Sequence, residues 1–194
     1  MTHNPVFIGI VGASGAGKST LCKKLKRISN QYEHIKLDNY FKHPRTFPRK
    51  YGYANWEKPS NIKFDVLLKH VKALARGKII HTKSFPKKGD KPKPITLKPK
   101  KYILVEGFIL LAHKAIRDFL DKRIYLDMPT KFMIKRRALR FGKSRSIDYD
   151  TRIAIPEYLK IGLKQKKFAD HIIDATRSQN QVVGEVKKII QQIR

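Results

Sequence analysis

The sequence predicts an α/β domain built on a mainly parallel sheet. Short apolar runs that read as buried strands alternate with segments whose apolar residues recur at helical spacing. Several of these runs end in an acid, Asp38, Glu106 and Asp127 among them, and ligands gather at the carboxyl ends of parallel strands. The first run leads through a glycine-rich loop directly into a helix.

That first unit carries the most information. Val6-Phe7-Ile8-Gly9-Ile10-Val11 is one strand, and Leu21, Leu25 and Ile28 mark the helix that follows. Between them, Gly12-Ala13-Ser14-Gly15-Ala16-Gly17-Lys18-Ser19-Thr20 fits G-x-x-x-x-G-K-[ST], the phosphate-cradling loop of nucleoside-triphosphate enzymes. Glycine permits backbone angles that let successive N–H groups converge on phosphate oxygens, and the helix N-terminus adds partial positive charge. Lys18 can reach the β- and γ-phosphates, and Ser19 can place a hydroxyl on Mg²⁺. The expected architecture is therefore a P-loop NTPase three-layer α/β/α sandwich that binds ATP with Mg²⁺.

The remaining elements follow in order. Residues 34–38 read as a second strand, and residues 39–61 as a loop broken by Pro44, Pro48, Gly52 and Pro59. Residues 62–76 form a helix that Ser60 or Asn61 can cap and Gly77 can stop. Residues 83–101, rich in lysine and proline, cannot be a central strand and form a surface flap or irregular hairpin. Strands follow at 102–106 and 123–127. Thr130 caps a helix running to about Phe141, where Gly142 can stop it. A basic stretch, residues 142–152, precedes a helix over 153–168. A short strand at 171–174 and an amphipathic helix bearing Val182, Val186, Ile189, Ile190 and Ile193 close the chain. All 194 residues read as a single domain with a basic lid at about 137–152.

Composition narrows the setting. No apolar run reaches membrane-spanning length, the N-terminal residues carry no secretory pattern, and the lone Cys22 reads as a buried filler. A cytoplasmic protein is expected. The net charge of +29 comes mostly from dispersed lysine. It fits a solvated surface that draws in anionic nucleotides, with nucleic-acid binding as the alternative partner class. The seven histidines show no metal-ligand spacing.

Candidate chemistry centres on the strand-end acids. Glu106 is placed like the second acid of a phosphate-loop enzyme, holding Mg²⁺ directly or through water. Asp38 stands beside the expected γ-phosphate, either as the group that takes an acceptor hydroxyl's proton or as an ordinary turn residue. Asp127 reads as a turn or cap residue. Arg136, Arg137 and Arg140 lie on one helix, with Arg136 and Arg140 sharing a face. They serve either as lid cations for a phosphoryl group or as a solvated basic face.

An ordered series of further motifs resembles the uridine kinase family, within the group that includes phosphoribulokinase, bacterial pantothenate kinase and nicotinamide riboside kinase. Leu37-Asp38-Asn39-Tyr40-Phe41 resembles its Asp-x-[FY]-[FY] element. Asn55-Trp56-Glu57-Lys58-Pro59 resembles its Asn-[FW]-Asp-x-Pro segment. Val105-Glu106-Gly107, Arg136-Arg137-Ala138-Leu139-Arg140, and Pro156 followed by Ala169-Asp170-His171-Ile172-Ile173 resemble three later elements. The resemblance implies transfer of the ATP γ-phosphoryl group to the 5′-hydroxyl of uridine or cytidine, a step in pyrimidine salvage. It implies Asp38 as base, Lys18 as phosphate binder, Ser19 and Glu106 as magnesium holders, and Arg136 and Arg140 as lid cations. Tyr40, Phe41, Trp56, Glu57, Phe85 and Arg136 would surround the acceptor. There Trp56 packs near the nucleoside, or simply onto the core, and Glu57 accepts from ribose hydroxyls.

Three positions and one segment depart from the pattern. Glu57 stands where the family usually has aspartate, Phe41 where it often has tyrosine, and Phe141 where it has an acid. The family's base-reading Tyr-Asp pair and histidine have no clear match in residues 83–101, where Phe85 is the nearest aromatic. Another small alcohol is therefore the alternative acceptor: pantothenate, nicotinamide riboside or a sugar phosphate.

Overall fold

The computed structural model describes residues 4–86, 90–141 and 147–193, with Arg140 and Phe141 described by backbone alone. Five strands form one parallel sheet in the order β2-β7-β1-β8-β9: β1 (Val6–Gly12), β2 (Tyr32–Lys36), β7 (Tyr102–Gly107), β8 (Lys122–Asp127) and β9 (His171–Asp174). Side chains alternate between two faces, as a period-2 backbone requires. Ile8 and Ile10 of β1, Leu104 of β7, and Ile124 and Leu126 of β8 pack on one side. There they meet Leu21, Cys22 and Leu25 of α1 (Lys18–Ile28) and Val182, Val186 and Ile190 of the C-terminal helix Gln179–Gln191. Phe7, Val11, Ile103, Val105 and Tyr125 pack on the other, against Phe64, Leu67, Val71 and Leu74 of α2 (Phe64–Ala75). Helices cover both faces, so the three-layer α/β/α arrangement expected from the sequence is present. The central strands read as nearly continuous apolar runs because both faces are covered.

Several local expectations are corrected. β2 stops at Lys36, and Leu37–Tyr40 turn into a 3-10 coil, so Asp38 lies past the strand rather than at its last position. α2 begins at Phe64 with no side-chain cap. The Asn61 amide donates instead to the Asn55 carbonyl. Gly77 does end that helix region, with a left-handed φ of 75°. The 39–61 loop contains a small hairpin, β3 (Arg49–Lys50) with β4 (Tyr53–Ala54). The lysine-rich flap is an antiparallel hairpin, β5 (Ile80–Lys83) with β6 (Pro94–Leu97), outside the main sheet. A short helix, α3 (Lys114–Phe119), lies before β8. Its N-cap His113 ring nitrogen accepts from the Ile116 N–H, a role histidine spacing alone does not announce.

α4 (Thr130–Phe141) includes Thr130 as its first residue rather than as its cap. The expected helix over 153–168 starts earlier and mixes geometries. α-helical turns at Ile147–Tyr149 and Ile155–Glu157 are separated by wider π turns at Asp150–Ala154 and Tyr158–Gly162, and 3-10 turns close it at Leu163–Phe168. Of the lid, residues 142–146 lie outside the described residues, Gly142 among them.

Candidate active site

The phosphate loop is shaped by close backbone approaches. Gly12 has φ 146°, and a Cβ there would sit 2.4 Å from the Leu126 carbonyl oxygen, so no other residue fits beside β8. Gly17 has φ 89° where the chain turns into α1. Lys18 folds back over this loop. Its Nζ donates to the carbonyls of Gly12 at 2.8 Å and Ala13 at 2.9 Å. Ser19, one residue on, points its hydroxyl across the sheet to Glu106 Oε1 at 2.6 Å.

β7 delivers Glu106 to this point because Ile10 of β1 is registered against it. His34 Nε2 of β2 lies 3.1 Å from the same Glu106 oxygen. Burial pushes the Glu106 carboxyl's pKa up, but His34, Lys18 and Ser19 together outweigh it and hold it below the usual carboxylate value. Glu106 Oε2 is buried with no hydrogen-bond partner among the described residues. An ionised oxygen in that state fits a hard cation, and a carboxylate beside a serine hydroxyl is the oxygen donor set Mg²⁺ takes. Cys22, His34 and Glu106 bring ligand atoms within 4.8 Å of one another. The thiol is the poor member of that group. Burial, and then the Glu106 charge, push its pKa well up, so it stays protonated.

Asp38 follows β2, whose Lys36 is paired with Glu106, so the two acids share one end of the sheet. Asp38 is exposed, in the 3-10 turn that leads on to Phe41. Its neighbour Asn39 accepts a hydrogen bond from the backbone N–H of Phe85, tying the β5–β6 hairpin to that turn.

Tyr40, expected among the acceptor contacts, is elsewhere. It is buried in the core with its hydroxyl 2.9 Å from His70 Nδ1 on α2, and burial pushes its pKa well up. Phe41, Trp56 and Phe85 do come together. Phe41 lies 5.4 Å from Trp56 and 5.5 Å from Phe85, both edge-to-face. Phe47 and Phe108, neither singled out in the sequence, complete the cluster at 4.8 Å from Trp56 and 6.2 Å from Phe41. Trp56 remains half-buried and also packs on Tyr149, Ile153 and Ala154 of the 147–168 segment.

Beside this aromatic wall sits a polar network. The Tyr149 hydroxyl donates to Glu57 Oε1 at 3.3 Å, and Arg137 Nη2 lies 3.5 Å from the same oxygen. Arg137 is 2% exposed and donates twice to Asp150 Oδ1, from Nε at 3.0 Å and Nη2 at 2.7 Å. Asn55 bridges outward, accepting from the Glu57 N–H and donating to Glu157 Oε1 at 3.1 Å. A cavity of about 10 Å³, room for one water-sized group, is lined by Ser14, Glu57, Arg137, Glu157 and Tyr158.

On α4, Arg136 and Arg137 diverge. Arg136 leans on the phosphate loop, donating to the Gly15 carbonyl at 3.3 Å. Arg137 turns toward Glu57 and Asp150. The side chain of Arg140 lies outside the described residues. Arg137, expected as a lid cation or part of a solvated basic face, is instead buried against Asp150 and Glu57, and Tyr149 and Asp150 were residues that sequence reasoning did not single out. The available signal was the adjacent arginine pair, whose two members point about 100° apart on a helix and so reach different partners.

The sequence likenesses agree with this geometry. The family model described as "Phosphoribulokinase / Uridine kinase family" matches residues 7–183. The chain belongs to this family. It is 32% identical over 181 residues to the uridine kinase of Brevibacillus brevis, covering 88% of this chain and 85% of that one. It is 31% identical over 187 residues to the uridine kinase of Escherichia coli K12, covering 89% and 88%. In three dimensions it resembles a possible uridine kinase from Bacillus stearothermophilus, with a TM-score of 0.62 at 22% identity over 90% of this chain and 91% of that one. It also resembles a shikimate kinase from Acinetobacter baumannii, at 0.58 and 16% over 98% and 96%. These structural likenesses concern the fold. As a phosphoribulokinase/uridine kinase family member, the protein is a phosphotransferase with an alcohol group as acceptor. Among the described residues no helix is long and apolar enough to cross a membrane.

Proposed function

We propose that the protein transfers the γ-phosphoryl group of ATP to the 5′-hydroxyl of a pyrimidine nucleoside, uridine or cytidine. The observation that carries this reading is the shared sheet end. Lys18, the Ser19–Glu106 pair and, by strand register, Asp38 belong to one end of the sheet, Glu57 and Arg137 line a cavity with Ser14 of the phosphate loop, and Phe85 of the Phe41–Trp56–Phe85 wall is bonded to Asn39 beside Asp38. Its relatives named uridine kinase support the acceptor class.

The chemistry follows from this chain's residues. The glycine loop's N–H groups and the start of α1 bind the triphosphate, and Lys18 exchanges its two carbonyl contacts for phosphate oxygens. Ser19 and Glu106 would hold Mg²⁺, which when bound supplies charge neutralisation on the phosphates. Glu57, oriented by Arg137 and Tyr149, accepts hydrogen bonds from ribose hydroxyls and so fixes the acceptor. The aromatic wall packs against the base. Asp38 takes the 5′-hydroxyl proton as the oxygen attacks, leaving ADP and the nucleoside 5′-phosphate. Arg136, above Gly15, meets the charge spread over the transferring group.

The acceptor side gathers Glu57, Asp150 and Glu157 against Arg137 and Lys58. That balance favours a hydroxyl-rich neutral acceptor over one bearing phosphate or carboxylate. Purified protein should consume ATP on addition of uridine or cytidine, and Asp38→Asn should abolish turnover while leaving ATP binding within about two-fold. Product formed only from an anionic alcohol would refute the acceptor assignment. Full turnover by the variant would remove Asp38 from its role.

A further inference from the structure

Glu157 is a buried acid with a divided environment. One oxygen, Oε1, is fully served: Lys58 Nζ lies at 2.7 Å and the Asn55 amide at 3.1 Å. The other, Oε2, is buried with no hydrogen-bond partner among the described residues, and the side chain as a whole is 7% exposed. Burial pushes the carboxyl's pKa up, but Lys58 and Asn55 outweigh this and hold it below the usual range, so the group is ionised at neutral pH. An ionised oxygen without a donor is expensive to bury. A clamp between Asn55 and Lys58 accounts for Oε1 and leaves Oε2 unexplained.

The surroundings supply an explanation. Glu157 borders the 10 Å³ cavity together with Glu57, Arg137 and Ser14 of the phosphate loop. That space accommodates one hydroxyl-sized group. Asn55 links the two carboxylates through one side chain: it accepts from the Glu57 N–H and donates to Glu157. A group entering beside Glu57 therefore arrives next to an acid already fixed in place.

We propose that Glu157 is a further acceptor-binding residue, whose Oε2 takes a hydrogen bond from a second hydroxyl of the acceptor while Glu57 serves the first. The inference rests on the nucleoside-kinase reading and deepens it: the site selects acceptors with two neighbouring hydroxyls, one for each carboxylate. Glu157 thus discriminates ribose from deoxyribose.

The test uses the full-length protein with uridine, its 2′-deoxy and 3′-deoxy counterparts, wild type and E157Q. Glutamine keeps an oxygen for Asn55 and Lys58 but presents N–H where Oε2 stood. In wild type, removal of the hydroxyl that meets Glu157 should lower kcat/KM about 10- to 100-fold, the worth of a hydrogen bond to a charged group. In E157Q the KM for uridine should rise by a similar factor with the KM for ATP unchanged, and the penalty for that one deoxynucleoside should shrink to less than about three-fold. If E157Q does not fold, E157D, with its charge drawn back by one methylene, should show the same selective loss. Titration of the three nucleosides by calorimetry gives the same comparison without turnover. The proposal is overturned if E157Q, or E157D in its place, keeps the wild-type deoxy penalties. A wild type that neither binds nor phosphorylates any of the three refutes the nucleoside reading itself, and this inference falls with it.

Discussion

Replacing Arg137 by methionine removes the cation on which two acids depend. The guanidinium is 2% exposed, bonds Asp150 through two nitrogens at 2.7 and 3.0 Å, and stands 3.5 Å from Glu57. Methionine nearly fills the volume, so the loss is electrostatic rather than steric. Removing one partner of a buried ion pair leaves an uncompensated charge and costs about 3–5 kcal/mol. For a chain of this length each kcal/mol moves Tm by ~2–4 °C, so R137M should melt roughly 6–20 °C lower. The assay is a double-mutant cycle with D150N by urea unfolding. Since Asp150 is the closest partner, R137M should be far less damaging in the D150N background, with a coupling of at least about 1.5 kcal/mol. In parallel, the KM for the acceptor should rise in R137M, because Glu57 loses a contact that aims it. A coupling below about 0.5 kcal/mol, or an R137M protein within about 1 kcal/mol of wild type, would refute the reasoning.

Three further outcomes are expected. Glu106→Gln should lower kcat by at least about 10²-fold and raise the Mg²⁺ concentration needed for half-maximal rate, with circular dichroism unchanged; an unaltered Mg²⁺ dependence would exclude Glu106 from the metal site. Gly12→Ala should destabilise by at least about 2 kcal/mol and abolish nucleotide binding, since the new Cβ meets the Leu126 carbonyl and the backbone holds φ 146°; tight nucleotide binding by this variant would contradict the loop geometry. Glu33 is buried, which pushes its pKa up, but Lys26 and the N–H groups of His34 and Lys98 pull it below its ordinary 4.5. Its contribution to stability is therefore complete above about pH 4.5 and is lost as pH falls through the lower folded-state value. Unfolding free energies from pH 3 to 6 should fall less steeply with acid in Glu33→Gln than in wild type, and parallel curves would show that Glu33 is not the group involved.

The sheet was legible because its central strands are apolar on both faces and short, a pattern that owes little to distant partners. The phosphate loop was legible because its chemistry is local: glycine at fixed spacing, then lysine and serine. Element ends were harder. Nothing in Leu37-Asp38 announces that β2 gives way to a 3-10 coil at Lys36, since the bend is set by packing of Leu37 and Tyr40 against α2. Asn61 reads as a helix cap until Asn55 offers it a buried carbonyl. The network around Glu57 was least legible, because it joins residues about ninety positions apart. Tyr149 resembled a lid residue and Arg137 the twin of Arg136, and only folding shows that both turn toward Glu57. Tyr40 shows the reverse error: a motif position whose ring belongs to the core.

The bond from the Phe85 N–H to Asn39 Oδ1 fastens the hairpin to the coil that bears Asp38, the proton acceptor proposed above. On the proposed function, recognition and reaction rate are thereby geared together. Exchanging the hairpin for that of a relative, in order to broaden the range of bases accepted, would disturb the aim of Asp38 as well as the grip on the base. Such chimaeras should lose speed along with selectivity unless the Asn39 latch is transplanted too.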